Sequence, residues 1–204
     1  AAAELGISKI RLTGGEPLVR LGIVDLVRML ANIKGIDDIA LTTNGLLLRK
    51  YAAPLKEAGL KRVNISLDSL REDRFKQITR IGDLKDALDG IAAAKEAGLA
   101  PVKINMVVIK GLNDDEILDF AQLSLNEGWH IRFIEPMPFT DKTSFTFVPI
   151  SEIMTSLNTL GKLEPHVPAD GNGPARYFRY MGAQGTIGFI SPMSECFCAS
   201  CNRL

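Results

Sequence analysis

What most constrains the fold of this chain is a repeated rhythm of a short β-rich run followed by a helical stretch. The β-rich runs are KIRLTG (9–14), DIALTTNG (38–45), RVNISLDS (62–69), VKINMVVIKG (102–111) and HIRFIEPMP (130–138). Between them, apolar residues recur at helical spacing. Ile23, Leu26, Val27, Leu30 and Ile33 share one face of one stretch. Leu84, Leu88, Ile91 and Ala92 do so in another that ends at Gly98. Asp114 or Asp115 is expected to N-cap EILDFAQLSLNEG, which Gly128 closes. Ala-Gly-Leu at 58–60 and again at 97–99 leads into a strand each time. Strands and helices alternating at this spacing imply parallel strands with crossover helices, either an open doubly wound sheet or a (βα) barrel.

The strands decide between the two. Lys9, Arg11 and Thr13 alternate with Ile10 and Leu12, and Asn64, Ser66 and Asp68 alternate with Val63, Ile65 and Leu67. Lys103 and Asn105 alternate with Val102, Ile104 and Met106, while Arg132 lies between Ile131 and Phe133. Strands buried on both faces read as nearly continuous apolar runs, and these do not. The expected fold class is therefore α/β, a partial (βα) barrel of TIM type. Its apolar strand face packs on helices, and its wet lumen carries Lys9, Arg11, Lys103 and Arg132. A solvent-facing sheet would also alternate, but crossover helices normally cover that face. Several cations in one lumen point to a multiply charged anion such as a nucleoside triphosphate, because an interior charge needs a partner to offset its desolvation.

After about residue 140 the rhythm breaks. A polar loop, TDKTS, gives way to a short helix in VPISEIMTSLNTLG, then to ARYFRYMG and TIGFISPM, which read as a hairpin or small sheet. Two regions follow: 1–140, the partial barrel, and 141–204, an incomplete α+β appendage. The chain opens on AAAELGIS, which reads as the last turn of a helix closed by Gly6, and stops three residues after Cys201, so it is expected to be a fragment of a longer protein. Its 24 Lys and Arg balance 24 Asp and Glu. That balance argues against a protein that coats nucleic acid or an anionic membrane. No apolar run approaches the roughly 18–20 residues of a membrane span. The three cysteines, Cys196, Cys198 and Cys201, are clustered rather than spread in a disulfide framework, so a reducing, cytoplasmic setting is expected.

LTGGEPLVR links a strand to a helix. Gly14 and Gly15 permit positive φ and close approach of backbone to a ligand, and Glu16 places a carboxylate at the strand's C-terminal end. The stretch is neither a Walker A loop nor G-x-G-x-x-G, and a tight βα turn would use the same glycines. Polar residues at other strand ends, Thr42-Thr43-Asn44, Ser66 and Asp68, favour a site at the C-terminal mouth of a barrel. Cys198-x-x-Cys201 offers two thiolates, whose spacing suits zinc and an iron–sulfur cluster equally. His130 and His166 are too few for a histidine metal site. Trp129 is expected in the core, the NDDE run as a helix cap, and Arg176 and Arg179 on a solvated hairpin face.

KIRLTGGEPLVR, LTTNG, KRVNISLDSL, VKINMVVIKGLND, RFIEPMP and FCASCNRL occur in this order over essentially the whole chain. Together they closely resemble the GTP 3',8-cyclase family of radical S-adenosylmethionine (SAM) enzymes, which acts in molybdenum cofactor biosynthesis. The resemblance implies two [4Fe–4S] clusters. The first would sit on a C-x-x-x-C-x-x-C loop, absent here and expected before residue 1, where reductive cleavage of SAM gives a 5'-deoxyadenosyl radical. That radical removes hydrogen from the ribose 3' carbon of GTP, and the substrate radical closes onto C8 to give 3',8-cyclo-7,8-dihydro-GTP. By the same resemblance, Gly14, Gly15, Glu16, Ser66 and Met137 bind SAM. Arg11, Thr42, Lys103 and Arg203 bind GTP, and Lys9 and Arg132 add charge for its triphosphate. Cys198 and Cys201 ligate the second cluster, whose third cysteine would lie beyond residue 204, and Cys196 carries no role. The implied partners are GTP, SAM and an electron donor, with a homodimer left open and neither nucleic acid nor membrane expected. Without the first cysteine loop the fragment alone is expected to be inactive. Two rivals remain: a peptide-modifying radical SAM enzyme with an auxiliary cluster, which would not require the lumen cations, and a non-catalytic nucleotide- or zinc-binding module.

Overall fold

The computed structural model describes residues 1–137, 147–167 and 173–194. Its chain forms two compact units, one of residues 1–67 and 75–103, the other of residues 68–74 and 104–204.

In the first unit the strands β1 (Lys9–Leu12), β2 (Asp38–Thr43) and β3 (Arg62–Ser66) lie side by side in chain order. Both pairings are parallel, with Arg11 opposite Ala40 and Thr42 opposite Asn64. The helices α1 (Ile23–Ala31) and α2 (Leu48–Glu57) cross between them, and α4 (Leu84–Glu96) follows α3 (Glu72–Thr79), whose residues 72–74 belong to the second unit. Ile39, Leu41, Val63 and Ile65 are buried on the apolar strand face, as the alternation requires. Helix α1 buries Ile23 and Val27, whereas Leu26 and Leu30 are only part-buried and Ile33, beyond the helix end, is 45% exposed. The buried seam of α4 is Leu84, Ala87, Ile91 and Ala94. Ala92, expected on that seam, faces solvent, and Leu88 sits at its edge.

Both Ala-Gly-Leu tripeptides are helix exits of one design. Gly59 (φ +109) and Gly98 (φ +69) take the left-handed conformation. The following Leu60 and Leu99 donate their N–H groups to Leu55 and Ala94 carbonyls, and both leucine side chains are fully buried. This is the Schellman arrangement, which satisfies otherwise orphaned carbonyls and turns the chain into the next strand.

Strand β4 (Val102–Val107) is divided, with Val102 and Lys103 in the first unit and Ile104–Val107 in the second. The second unit continues with α5 (Ile117–Asn126), β5 (His130–Ile134), α6 (Ile150–Leu157), β6 (Leu163–His166), β7 (Arg176–Tyr180) and β8 (Thr186–Ile190). Its strand order is β5-β8-β7-β6. β8 runs parallel to β5, and β7 and β6 follow antiparallel, so the expected hairpin gains a third strand. Phe133 stacks on Phe189 at 6.2 Å, and Phe178 meets Phe189 edge-on at 5.6 Å. The Tyr180 hydroxyl donates to the Leu157 carbonyl at 2.8 Å, and burial pushes its pKa up to about 12.

Three further expectations change in this unit. No side chain caps α5: a 3-10 turn at Asp114–Glu116 precedes it, and Asp114 instead accepts from the Gly111 N–H at 2.7 Å. Trp129 is only part-buried. Arg179 is not on a solvated face, since it lies half-buried with its guanidinium 3.1 Å from His166 Nε2.

Candidate functional site

In the first unit, the turn after β1 is built around one carboxylate. Glu16 Oε1 accepts from the Leu18 N–H at 3.0 Å and the Thr43 hydroxyl at 2.7 Å, and Oε2 accepts from the Asn44 N–H at 2.8 Å. Thr43 Oγ1 in turn accepts from the Gly45 N–H, and Asn44 Oδ1 from the Leu46 N–H. Glu16 thus fastens the loop leaving β1 to the loop leaving β2. Among the described residues, three of the roughly four acceptor positions of an ionised carboxylate are used, and the fourth is available to a ligand.

The two glycines before it have separate reasons to be glycine. Gly14 has φ +144, a conformation that a side chain would strain. Gly15 has no such φ, and a Cβ on either residue would meet nothing within 4 Å. The backbone at Gly14–Gly15 is therefore bare and open, as close approach by a ligand requires.

The polar strand face is present as the alternation implied. Lys9 and Arg11 of β1, Ala40 and Thr42 of β2, and Asn64 and Ser66 of β3 lie on one side of the three strands. Asn64 is buried and donates to the Thr42 hydroxyl at 3.4 Å, whereas Lys9 and Ser66 are exposed. The same face holds an ion pair that alternation alone does not reveal, Arg62 with Asp38, both largely buried. Its signal was cross-strand register rather than local pattern. Lys103, on the short first-unit part of β4, is 7% exposed.

In the second unit Arg132 is 3% exposed on β5, opposite Gly188 of β8. Met137, three residues beyond β5, is half-exposed. Cys196, Cys198, Cys201 and Arg203 lie outside the described residues. Among the described residues no cluster of His, Cys, Asp or Glu side chains could hold a metal ion, and no helix is long and apolar enough to cross a membrane.

Sequence reasoning missed three buried polar groups in this unit. Asn113 donates to the carbonyls of Asp68 and Val107 at 2.8 and 2.9 Å and accepts from the Ile109 N–H. Glu116, fully buried, accepts from the Ser69 hydroxyl at 2.8 Å, the Leu70 N–H at 2.6 Å and the Arg74 guanidinium. Arg74 also reaches Asp115 at 2.7 Å, and these bonds hold the Asp115 carboxyl below its usual range. Together they strap down residues 68–71, just beyond Ser66. Asp68 accepts from the Val107 N–H at 2.8 Å, and burial pushes its carboxyl up against that bond. Glu135, also buried, accepts from the Met193 and Ser194 N–H groups at 3.0 and 2.9 Å and from the Ser194 hydroxyl. NDDE offered a cap signal only, because none of these distant partners is written beside it.

Comparison with known proteins adds what geometry cannot. Residues 1–124 match the radical SAM superfamily and residues 129–204 match Molybdenum Cofactor Synthesis C. The chain is 55% identical over 210 residues to the GTP 3',8-cyclase of Pelotomaculum thermopropionicum, with 100% of this chain and 64% of that protein covered. With the GTP 3',8-cyclase of Moorella thermoacetica it shares 56% identity over 205 residues, at 100% and 64% coverage. The chain thus spans slightly under two-thirds of the curated relatives it matches. A radical SAM methyltransferase from Sphaerobacter thermophilus is similar in structure, with TM-score 0.63 and 18% identity, over 92% of this chain and 53% of that one. A domain of a pyruvate-formate lyase-activating enzyme from Bacteroides vulgatus has TM-score 0.57 and 20% identity, over 88% and 98%. At such identities these likenesses show the fold, and the strand–helix succession fits a partial TIM-type arrangement.

Proposed function

The chain belongs to the radical SAM superfamily, and from that premise we propose that the protein it represents is a GTP 3',8-cyclase of molybdenum cofactor biosynthesis. Its product would be 3',8-cyclo-7,8-dihydro-GTP. The observation that carries the substrate is the polar strand face of the first unit, with Lys9, Arg11 and Thr42 on one side. A neutral chain that lines strands with cations suits a triphosphate.

Each residue has a definite part. The bare backbone at Gly14–Gly15 lets SAM approach, Glu16 offers an acceptor position to the methionyl amino group, and Ser66 and Met137 are the further SAM-binding positions that the family resemblance implies. Arg11 and Arg132 present planar guanidinium forks to phosphate oxygens. Lys9 and Lys103 add point charges, Thr42 a hydroxyl already oriented by Asn64, and Arg203 a further contact to GTP. Of two [4Fe–4S] clusters, the second would use Cys198 and Cys201. When bound, the first cluster and SAM supply the radical that removes hydrogen from the ribose. The chain's own residues bind and orient the two substrates and keep their charges matched. Residues 1–140 would form the partial barrel and 141–204 the start of the second-cluster region. The protein would work in the cytoplasm with an electron donor.

The test is anaerobic reconstitution of the full-length protein, followed by 5'-deoxyadenosine release from SAM with and without GTP. Release that depends on GTP, with a cyclised guanosine product, is expected. Release indifferent to GTP would assign the radical chemistry to another substrate class, such as a peptide, and no release from a cluster-loaded protein would leave a binding module.

A further inference from the structure

One glycine of the second unit sits where a strand should carry a side chain. Gly188 lies in the middle of β8, between Ile187 and Phe189, and all three residues are buried. Its φ is not in the left-handed region, so conformation does not require it. Glycine in a strand interior weakens the strand and marks a close approach. Here the approach comes from both neighbouring strands. A Cβ on Gly188 would lie 2.9 and 3.1 Å from Cε1 and Cδ1 of Tyr177 and 3.0 Å from Cγ of Arg132. Register explains why: Arg132 of β5 and Tyr177 of β7 are the cross-strand partners of Gly188 on either side. The ring and the arginine stem therefore both close on the slot that the missing side chain leaves, one from each neighbouring strand.

Resting on the assignment of Arg132 to the triphosphate, we propose that Gly188 and Tyr177 are positioning residues that preset Arg132 for its anionic ligand. Arginine carries several rotatable bonds, and ordering them on binding costs affinity. A stem packed over a residue with no side chain, with the Tyr177 ring closing the same slot from the other side, has fewer rotamers to lose when the guanidinium engages phosphate. The slot is already filled by the chain itself, so Gly188 is not a place where ligand approaches backbone.

The test uses the full-length, cluster-loaded protein and equilibrium binding of GTP and of SAM, each measured alone. Gly188→Ala and Tyr177→Leu should each weaken GTP about tenfold while leaving SAM affinity unchanged, and Tyr177→Phe should bind GTP like the parent. In an Arg132→Ala background, Gly188→Ala should cause no further loss, since its effect acts through that arginine. If Arg132→Ala leaves GTP affinity intact, the assignment of Arg132 to the triphosphate fails. If Arg132→Ala weakens GTP but Gly188→Ala and Tyr177→Leu do not, the positioning role alone fails. Equal losses of GTP and SAM would mark a merely structural role and overturn it, as would a Tyr177→Phe variant as weak as Tyr177→Leu. Should Gly188→Ala not fold by circular dichroism, the two Tyr177 variants decide.

Discussion

Two glutamates each fasten a loop that leaves a strand, and they do so to different ends. Glu16 in the first unit ties the turn after β1 to the turn after β2 through three donors, while Gly14 and Gly15 beside it stay open. Glu116 in the second unit is fully buried and accepts from Ser69, Leu70 and Arg74. One carboxylate shapes a loop and leaves its backbone free for a ligand. The other, with no surface exposed, holds chain against chain. The contrast says where substitutions should act: at the first loop on binding, at the second on stability.

The largest effect should come at Gly15. A Cβ there meets no atom of the described chain within 4 Å and the position needs no unusual φ, so the fold should tolerate a small branched side chain. Gly15→Val should nevertheless abolish SAM cleavage, at least a hundredfold down, with the melting temperature and the second cluster unchanged. SAM turnover at the parental rate would remove this turn from the site.

Glu116→Leu should behave in the opposite way. It leaves the Leu70 N–H, the Ser69 hydroxyl and part of Arg74 without their buried acceptor, a loss of about 3 kcal/mol. Asp115 still pairs with Arg74, which limits the damage. Urea denaturation should show a lowered midpoint, and any loss of SAM binding should follow the loss of folded protein. A variant as stable as the parent would mean the strap contributes little.

These two sites also show what could be read beforehand. The strand faces, the open turn after β1 and the repeated Ala-Gly-Leu exits were legible because each is specified by residues within a few positions of one another. The partners of Glu116 lie 42 to 47 residues away, those of Glu135 58 or 59, and those of Gly188 on separate strands. Nothing local distinguishes such a glutamate from a helix cap, or such a glycine from a bend. Strand β6 escaped notice for a different reason. It is four residues long and contains Pro165, which suits only an edge strand, and β6 is the last strand of its sheet order. Ala92 was misplaced because alanine carries too little apolar weight to locate a helix face, and the seam runs through Ala87 and Ala94 instead.

A smaller effect separates a buried cation of the first unit from an exposed one on its polar strand face. Lys103 is almost fully buried and Lys9 exposed. An interaction out of water is screened less. Lys103→Ala should therefore weaken GTP by at least tenfold, and Lys9→Ala by less, with a loss that shrinks further as salt is raised. Titration of GTP at two ionic strengths measures both. If Lys103→Ala weakens SAM as much as GTP, its assignment to the triphosphate is wrong.

The smallest effect concerns the strap itself, through Asp68. Burial raises its carboxyl above the ordinary 3.8, more than the Val107 N–H lowers it. Such a group binds its proton more readily folded than unfolded, so its contribution is most favourable at acid pH. That contribution declines as pH rises from the ordinary value through the raised one. Asp115 works in the opposite sense, contributing above its unfolded pKa and losing that contribution as pH falls, because Arg74 holds it low. Asp68→Asn keeps an Oδ1 acceptor for the Val107 N–H and leaves Asp115 untouched. Comparing urea midpoints of parent and variant therefore isolates Asp68. The variant should gain on the parent as pH is raised from about 4 towards neutrality. A difference that stays flat across that range would show that Asp68 titrates alike in the folded and unfolded chain, and that the strap carries no buried charge at its end.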